Sequence, residues 1–393
     1  MKKSILAILG AIALALPWII IRSKGIAVSP TSEALFSGLA IVGGAFILSW
    51  AAEVAEMDVP KSASLALVAL IAVLPEYAVD LYFAWQAGKY PALEYRHYAI
   101  ANMTGANRLL IGIGWALVVL FAAILQGKKE VELKERLNLE TFFLLMATLY
   151  AFVLPLKDSI SLFDSLVFIS IYICYIFLAL KSPYEEPELI GVPSFIGSFT
   201  KRIRRGMVIC MFLFSGYVIY ISVEAFAEGL IKVGMLHGLD PFLMVQWIAP
   251  LASESPELIV ACYMVKRLRA TSSMNVLISS KLNQWTLLVG TLPIVYSIAL
   301  GEPSALVMDA RQREEVLLTA AQSLFGVAVI SNLRISVLEA IFLLVLFLGQ
   351  LAIPEIGARY VFSGVYIILA LAWFFREKKL IDNISYLRKL YKT

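Results

Sequence analysis

Six ionisable side chains interrupt stretches of this sequence that are otherwise apolar: Glu76, Asp80, Glu254, Glu257, Arg108 and Lys281. Each costs on the order of 2.5–3.5 kcal/mol at the centre of a bilayer, so six isolated ones would cost roughly 15–20 kcal/mol. Such groups persist where they pair with one another, face water or bind ions. On helices, Glu76 and Asp80 (four apart) share one face, and so do Glu254 and Glu257 (three apart). Pro75 and Pro256 directly precede Glu76 and Glu257. A proline inside a helix frees the carbonyl four residues earlier, here those of Ile71 and Ala252. Carboxylates, freed carbonyls and hydroxyls are the oxygen donors that hard cations take. Ser253, Ser255, Thr104, Ser279 and Ser280 are the hydroxyls at hand. With all six groups charged, four carboxylates and two bases leave a net of −2, the balance for one divalent cation.

The elements that must position these groups follow from hydropathy. The chain is 60% hydrophobic and 16% charged, far from the soluble balance of about half and about a quarter. A hydrocarbon layer about 30 Å thick takes roughly 20 apolar residues per helix. Twelve stretches qualify: 4–22, 33–56, 62–86, 97–125, 139–156, 159–180, 206–231, 242–265, 272–300, 315–331, 335–352 and 359–375. The first follows Lys2-Lys3 like a signal peptide, but Arg22-Ser23-Lys24 offers no small-residue cleavage site, so it reads as a retained helix. With both ends cytoplasmic, 22 Lys/Arg fall inside and 9 outside, with Arg108 and Lys281 within spans, which accounts for all 33. That asymmetry is the positive-inside pattern.

The same numbers exclude other classes. The net charge of +4 is spread between apolar runs, which does not suggest nucleic acid. Cys174, Cys210 and Cys262 lie inside apolar segments at spacings that fit no disulfide framework or zinc site, and read as small packing residues. The spans hold no Ser/His pair, Asp dyad or His-rich motif, so the chain does not read as an enzyme, and no cofactor is expected.

An internal repeat relates the two Pro-Glu segments. Aligned on Pro75-Glu76 and Pro256-Glu257, VLPEYAVDLYFA and ESPELIVACYMV both read Pro-Glu-x-x-Val-x-x-Tyr. Pro60 and Pro241 each stand sixteen residues before the glutamate, at helix starts where a missing N–H costs nothing. A turn and a second long apolar helix follow each, carrying NMTGANRLLIGIG and ISSKLNQWTLLVG. The two copies are five spans apart, an odd number, so they face opposite ways across the membrane. Inverted repeats of this kind are a common architecture of secondary transporters.

On these residues the chain resembles the calcium/cation antiporter superfamily, the sodium/calcium exchanger group. Each of that family's two inverted repeats carries Gly-Thr-Ser-x-Pro-Glu on one helix and Gly-Ser-Asn-x-x-Asn/Asp on the next. The resemblance covers about residues 33–125 and 206–300. It implies that Glu76 and Glu257 are acidic ion ligands. The signature hydroxyl positions fall on Ala72 and Val73 in the first copy and on Ser253 and Glu254 in the second. The first copy therefore lacks both hydroxyls, and the second has gained a carboxylate. For the second signature two readings stand. One takes Gly105-Ala106-Asn107 as Gly-Ser-Asn, with Asn283 its counterpart. The other counts back from Gly114 and Gly290, pairs Thr104 with Ser280, and puts Arg108 and Gln284 at the ligating position. Arg108 and Lys281 depart from the family pattern. Each stands in the place of a transported cation, pairs with Asp80 or Glu254, or belongs to a structural ion pair.

The implied protein is an all-α polytopic membrane protein of about 12 transmembrane helices in two inverted-topology repeats, a ten-helix exchanger core with extra terminal helices. Its expected segments are an N-terminal helix (1–32), a first half with Pro75-Glu76 (33–180), a cytoplasmic linker (181–205), a second half with Pro256-Glu257 (206–352), and a final helix with a basic cytoplasmic tail (353–393). Its expected work is exchange of Ca²⁺ for Na⁺ or H⁺ at a mid-membrane carboxylate site in the cell membrane, by alternating access. The ions are substrates, and inorganic cations and the lipid bilayer are the partners. The alternative is a divergent member with altered ion specificity or a non-transporting regulatory role.

Overall fold

In the computed structural model the described residues are 2–58, 74–181 and 189–377. Ile71, Ala72, Val73 and Pro60, on which several expectations rest, lie outside them. The helices are α1 (Lys2–Ser23), α2 (Pro30–Ala55), α3 (Leu74–Lys89), α4 (Tyr95–Gln126), α5 (Leu137–Lys157), α6 (Leu162–Ala179), the short α7 (Val192–Gly197), α8 (Lys201–Leu236) and α9 (Pro241–Lys266). After these come α10 (Ala270–Asn283, a π-helical turn Gln284–Leu288, then Val289–Leu300), α11 (Ala310–Ile330), α12 (Val337–Ala352) and α13 (Ile356–Glu377). Among the described residues, eight of these are long and apolar enough to cross a membrane. α12 is apolar but shorter, and the opening turns of α11 carry Arg311, Arg313, Glu314 and Glu315. Two short antiparallel ribbons join distant parts of the chain: β1 (Glu130–Glu132) pairs with β4 (Arg334–Ser336), and β2 (Ser159–Ile160) with β3 (Leu306–Val307).

The chain divides into two compact units, and each draws on both repeats. The first comprises Met1–Phe83 and Pro183–Glu257, the second Ala84–Ser182 and Leu258–Thr393. The divisions fall inside α3 and α9, just beyond each Pro-Glu pair.

In the first unit α1 buries Ala11, Ala15 and Trp18, one face at helical spacing. The Trp18 indole donates to the Ile221 carbonyl of α8 at 3.0 Å. This face packs on α2. Ser29 caps α2 and Pro30 takes its first turn, the expected places for both residue types. Beyond the other end of α2, Asp58 accepts two hydrogen bonds from Arg204 at 2.9 Å each. The Arg204 hydrogen bonds hold the Asp58 carboxyl below its usual range.

In the second unit two π-helical turns occupy corresponding places. Leu110–Trp115 interrupts α4 and Gln284–Leu288 interrupts α10, each at the polar motif of its repeat. Turns of this type concentrate at functional sites, because the extra residue re-aims side chains. Close helix approach depends on small residues here. A methyl group on Gly88 of α3 would stand 2.6 Å from the Ala299 methyl and 2.6 Å from the Tyr296 carbonyl of α10. The carbonyl belongs to a helix backbone and cannot swing aside. Gly88→Ala is therefore expected to destabilise the protein by about 1–3 kcal/mol, read as a lower unfolding midpoint in detergent. An unchanged midpoint would show that α3 and α10 are not in this contact.

Among the described residues the cysteines are free, and Cys174 and Cys210 are exposed on their helices rather than packed.

Candidate functional site

The acidic members of the expected site lie in the first unit. Glu76 stands in the first turn of α3, 3% exposed, and Asp80, one turn on, is completely buried. Glu254 is buried at 2%, and Glu257 is partly buried. α9 contains two interior prolines, Pro250 and Pro256. Each removes a helical hydrogen bond, so the middle of α9 has carbonyls to spare. Serine hydroxyls occupy this stretch. Ser253 donates to the Ala249 and Pro250 carbonyls at 3.2 and 3.4 Å, and Ser255 donates to Ala252 at 3.3 Å. The Ala252 carbonyl, expected to be free, thus already accepts one hydrogen bond. A hydroxyl that gives its proton to the backbone keeps its lone pairs for another ligand, and Ser253 has that character. Glu228 of α8 accepts a hydrogen bond from Tyr82 of α3 at 3.0 Å. It therefore braces the first Pro-Glu helix.

The amide, hydroxyl and basic members lie in the second unit. Lys281 of α10 donates to the Asn107 side-chain oxygen at 2.7 Å and to the Asn107 carbonyl at 3.2 Å. Its ammonium also stands 4.4 Å from the centre of the Trp285 ring, within cation–π range. Asn107 donates in turn to the Met103 carbonyl at 2.8 Å. Lys281 thus ties the motif helix of one repeat to that of the other. Thr104 donates to the Ile100 carbonyl at 2.7 Å. Asn283 donates to the Tyr172 hydroxyl of α6 at 3.1 Å. Ser280 and Gln284 are buried on α10.

Arg108 meets a partner that sequence reasoning did not offer. Its guanidinium donates to Glu315 of α11 at 2.5 Å, both groups fully buried. Arg359 of α13 also reaches Glu315 and lies 3.3 Å from Glu314. Two acids and two guanidiniums, each no more than 1% exposed, make a neutral quartet. Gln322 of α11 donates to the Arg108 carbonyl at 3.1 Å, and Gln350 of α12 donates to Gln322 at 2.9 Å. Of the three expectations for Arg108, the structural ion pair is the one the structure forms, with Glu315. Glu314, Glu315 and Arg359 escaped notice in the sequence because each stands within a turn or two of a span end, where charges are usually solvated. The signal that finds Glu315 is the repeat itself, which sets it opposite Glu140.

The chain matches the family model described as sodium/calcium exchanger protein over residues 34–181 and 207–354. Its structure is similar to that of the H⁺/Ca²⁺ exchanger CAX, with a TM-score of 0.96 and 54% sequence identity over 99% of each chain. It also resembles the sodium-calcium exchanger NCX_Mj, solved with 100 mM Na⁺ and 10 mM Sr²⁺, with a TM-score of 0.56 at 16% identity over 82% of this chain and 98% of that one. A second NCX_Mj structure, with 2.5 mM Na⁺ and 0.1 mM Ca²⁺, gives 0.55 at 17% identity over 84% and 100%. At such identities the NCX_Mj likeness speaks for the fold alone. None of the curated proteins compared with this chain matches it. A two-copy family model spanning most of the chain, together with a whole-length match to an exchanger, makes this all-α, polytopic, inverted-repeat chain a member of the sodium/calcium exchanger protein family.

Proposed function

We propose that this protein is a secondary antiporter that exchanges Ca²⁺ for H⁺ across the cell membrane, and that Glu76 and Glu257 bind both ions in turn. The observation that carries the reading is the 54% identity with an H⁺/Ca²⁺ exchanger along 99% of both chains. The residue chemistry agrees with it. Two carboxylates neutralise one divalent cation, and two protons can replace that cation with no change in net charge. Protonation is the natural competitor of a carboxylate-bound metal. Coupling to Na⁺ favours neutral oxygen donors, and the first copy has Ala72 and Val73 where the family carries hydroxyls.

Asp80, Glu254 and Ser253 stand on the same helices as the two glutamates and are proposed as their companions in the ion site. Thr104, Ser280, Gln284, Asn107 and Asn283 are proposed as further oxygen donors with a weaker claim. Asn107 already accepts from Lys281, and Asn283 already donates to Tyr172. Arg108 and Lys281 are proposed to hold the motif helices rather than to stand in for a transported ion. With that role the reason for a non-transporting reading falls away. The 22-to-9 distribution of basic residues supports cytoplasmic termini. Halves 33–180 and 206–352 joined by the 181–205 linker are the proposed segments of the transport cycle.

The test is Ca²⁺ flux in proteoliposomes. A pH gradient imposed without Na⁺ is expected to drive Ca²⁺ uptake, and a Na⁺ gradient at clamped pH to drive none. Uptake driven by Na⁺ and indifferent to pH would overturn the assignment of the coupling ion.

A further inference from the structure

The two repeats place one more acid in matching positions, and the fold treats the two copies differently. Glu315 follows Glu140 by 175 positions, and the same shift aligns Thr148 with Ser323 and Leu149 with Leu324. Both acids lie near the start of their helices, α5 and α11, and both are buried. Glu315 is clasped by Arg108 and Arg359, so it is held as a carboxylate. Glu140 has no such clasp. Its Oε1 accepts a hydrogen bond from the neutral Tyr175 hydroxyl of α6 at 3.1 Å, and its Oε2 is buried with no hydrogen-bond partner among the described residues.

The surroundings of Glu140 are poor in charge. α11, which packs on α5, carries no ionisable residue from Val316 to Ile330. α10, which also packs there, offers Lys281 alone in its segment Ala270–Leu288, and that ammonium is on Asn107. On α6 the ionisable groups are Tyr172, Tyr175, the exposed Cys174 and Asp164, the last engaged with Lys157 and Tyr150 at the far end. Arg136, the N-cap residue just before α5, stands one turn earlier, and its positive charge acts on the Glu140 carboxyl. A buried carboxyl whose side-chain partner is a neutral phenol favours the form with no charge to desolvate.

We propose that Glu140 is a proton-binding site of this protein. The carboxyl carries its proton on Oε2 and is linked to the motif helix of the second repeat. The link is short. Tyr175 lies against Tyr172, ring centres 5.9 Å apart, and the Tyr172 hydroxyl accepts from Asn283 of α10. Loss of the proton from Glu140 strengthens the pull on Tyr175 and so changes the setting of Tyr172 and Asn283. The place of this site in transport rests on the proton-exchange reading given above; the presence of the proton does not.

Infrared difference spectra of the whole protein across a pH titration test the site. The wild-type protonated-carboxyl absorption, to which Glu76 and Glu257 also contribute, is expected to lose one component, the Glu140 band, in E140Q and to keep it in E315Q. Y175F, which leaves the acid in place, is expected to shift the band rather than remove it, and it serves if E140Q does not fold. In proteoliposomes, E140Q is expected to displace the pH of half-maximal Ca²⁺ uptake, with E140D returning it toward wild type. An E140Q protein that keeps both the full band and the wild-type pH profile would overturn the proposal, as would a band untouched by Y175F. A protein that shows a band component removed by E140Q but moves no Ca²⁺ under a pH gradient would support the proton site and sink the exchange reading.

Discussion

Replacing either Glu76 or Glu257 by glutamine is expected to abolish Ca²⁺ exchange while leaving the protein folded. The glutamine keeps the volume and one oxygen and removes the charge. A buried charge that loses its partner costs about 3–5 kcal/mol, and each 1.4 kcal/mol is tenfold in affinity. The loss in Ca²⁺ affinity is therefore about two to three and a half orders of magnitude, measurable by titration calorimetry on the purified variants and by flux. The same substitution removes a proton acceptor, so a residual flux would have lost part of its pH dependence. Glu76 stands 3% exposed in the first turn of α3, and Glu257 stands next to an interior proline of α9, where a side-chain oxygen and a weakened backbone ladder meet. If both variants move Ca²⁺ at wild-type rates, the carboxylates are structural and the ion site lies elsewhere.

Breaking the buried quartet of the second unit is expected to have the largest effect on stability. Arg359→Met leaves Glu314 and Glu315 with one guanidinium between them, in a place where no member is more than 1% exposed. Removing one partner of such a pair costs about 3–5 kcal/mol, because the remaining charge stays buried and uncompensated. The unfolding midpoint in detergent should fall sharply. The double variant R359M/E314Q restores neutrality and should recover much of the loss, since an apolar or neutral replacement of both partners is close to energetically even. Equal loss in the single and double variants would mean that Arg359 acts by packing, not by charge. The stakes extend beyond α13, because Glu315 also holds Arg108 on α4, one residue from Asn107. α13 lies beyond residue 354, where the family match ends, yet it completes the charge balance of a motif helix.

Composition, spacing and repetition were sufficient to recover the architecture. Twenty-residue apolar runs have few alternatives to membrane-spanning helices, and the Pro-Glu repeat set five spans apart dictated an inverted pair. The positions of the prolines were legible for the same local reason, and Pro241 does open α9. Partnership was not legible. Arg108 and Glu315 are 207 residues apart, and Lys281 and Asn107 are 174 apart. No local pattern encodes such contacts; they exist because helix packing brings distant turns together. The unexpected charges failed to register because a glutamate near a span end looks solvated until its neighbours are known, and Glu315 and Arg359 lie near span ends. Glu140 is the sharpest case. Its sequence position matches Glu315, but only the tertiary structure gives one acid two arginines and the other a tyrosine. That difference in surroundings, not in residue type, is what separates a fixed charge from a proton carrier.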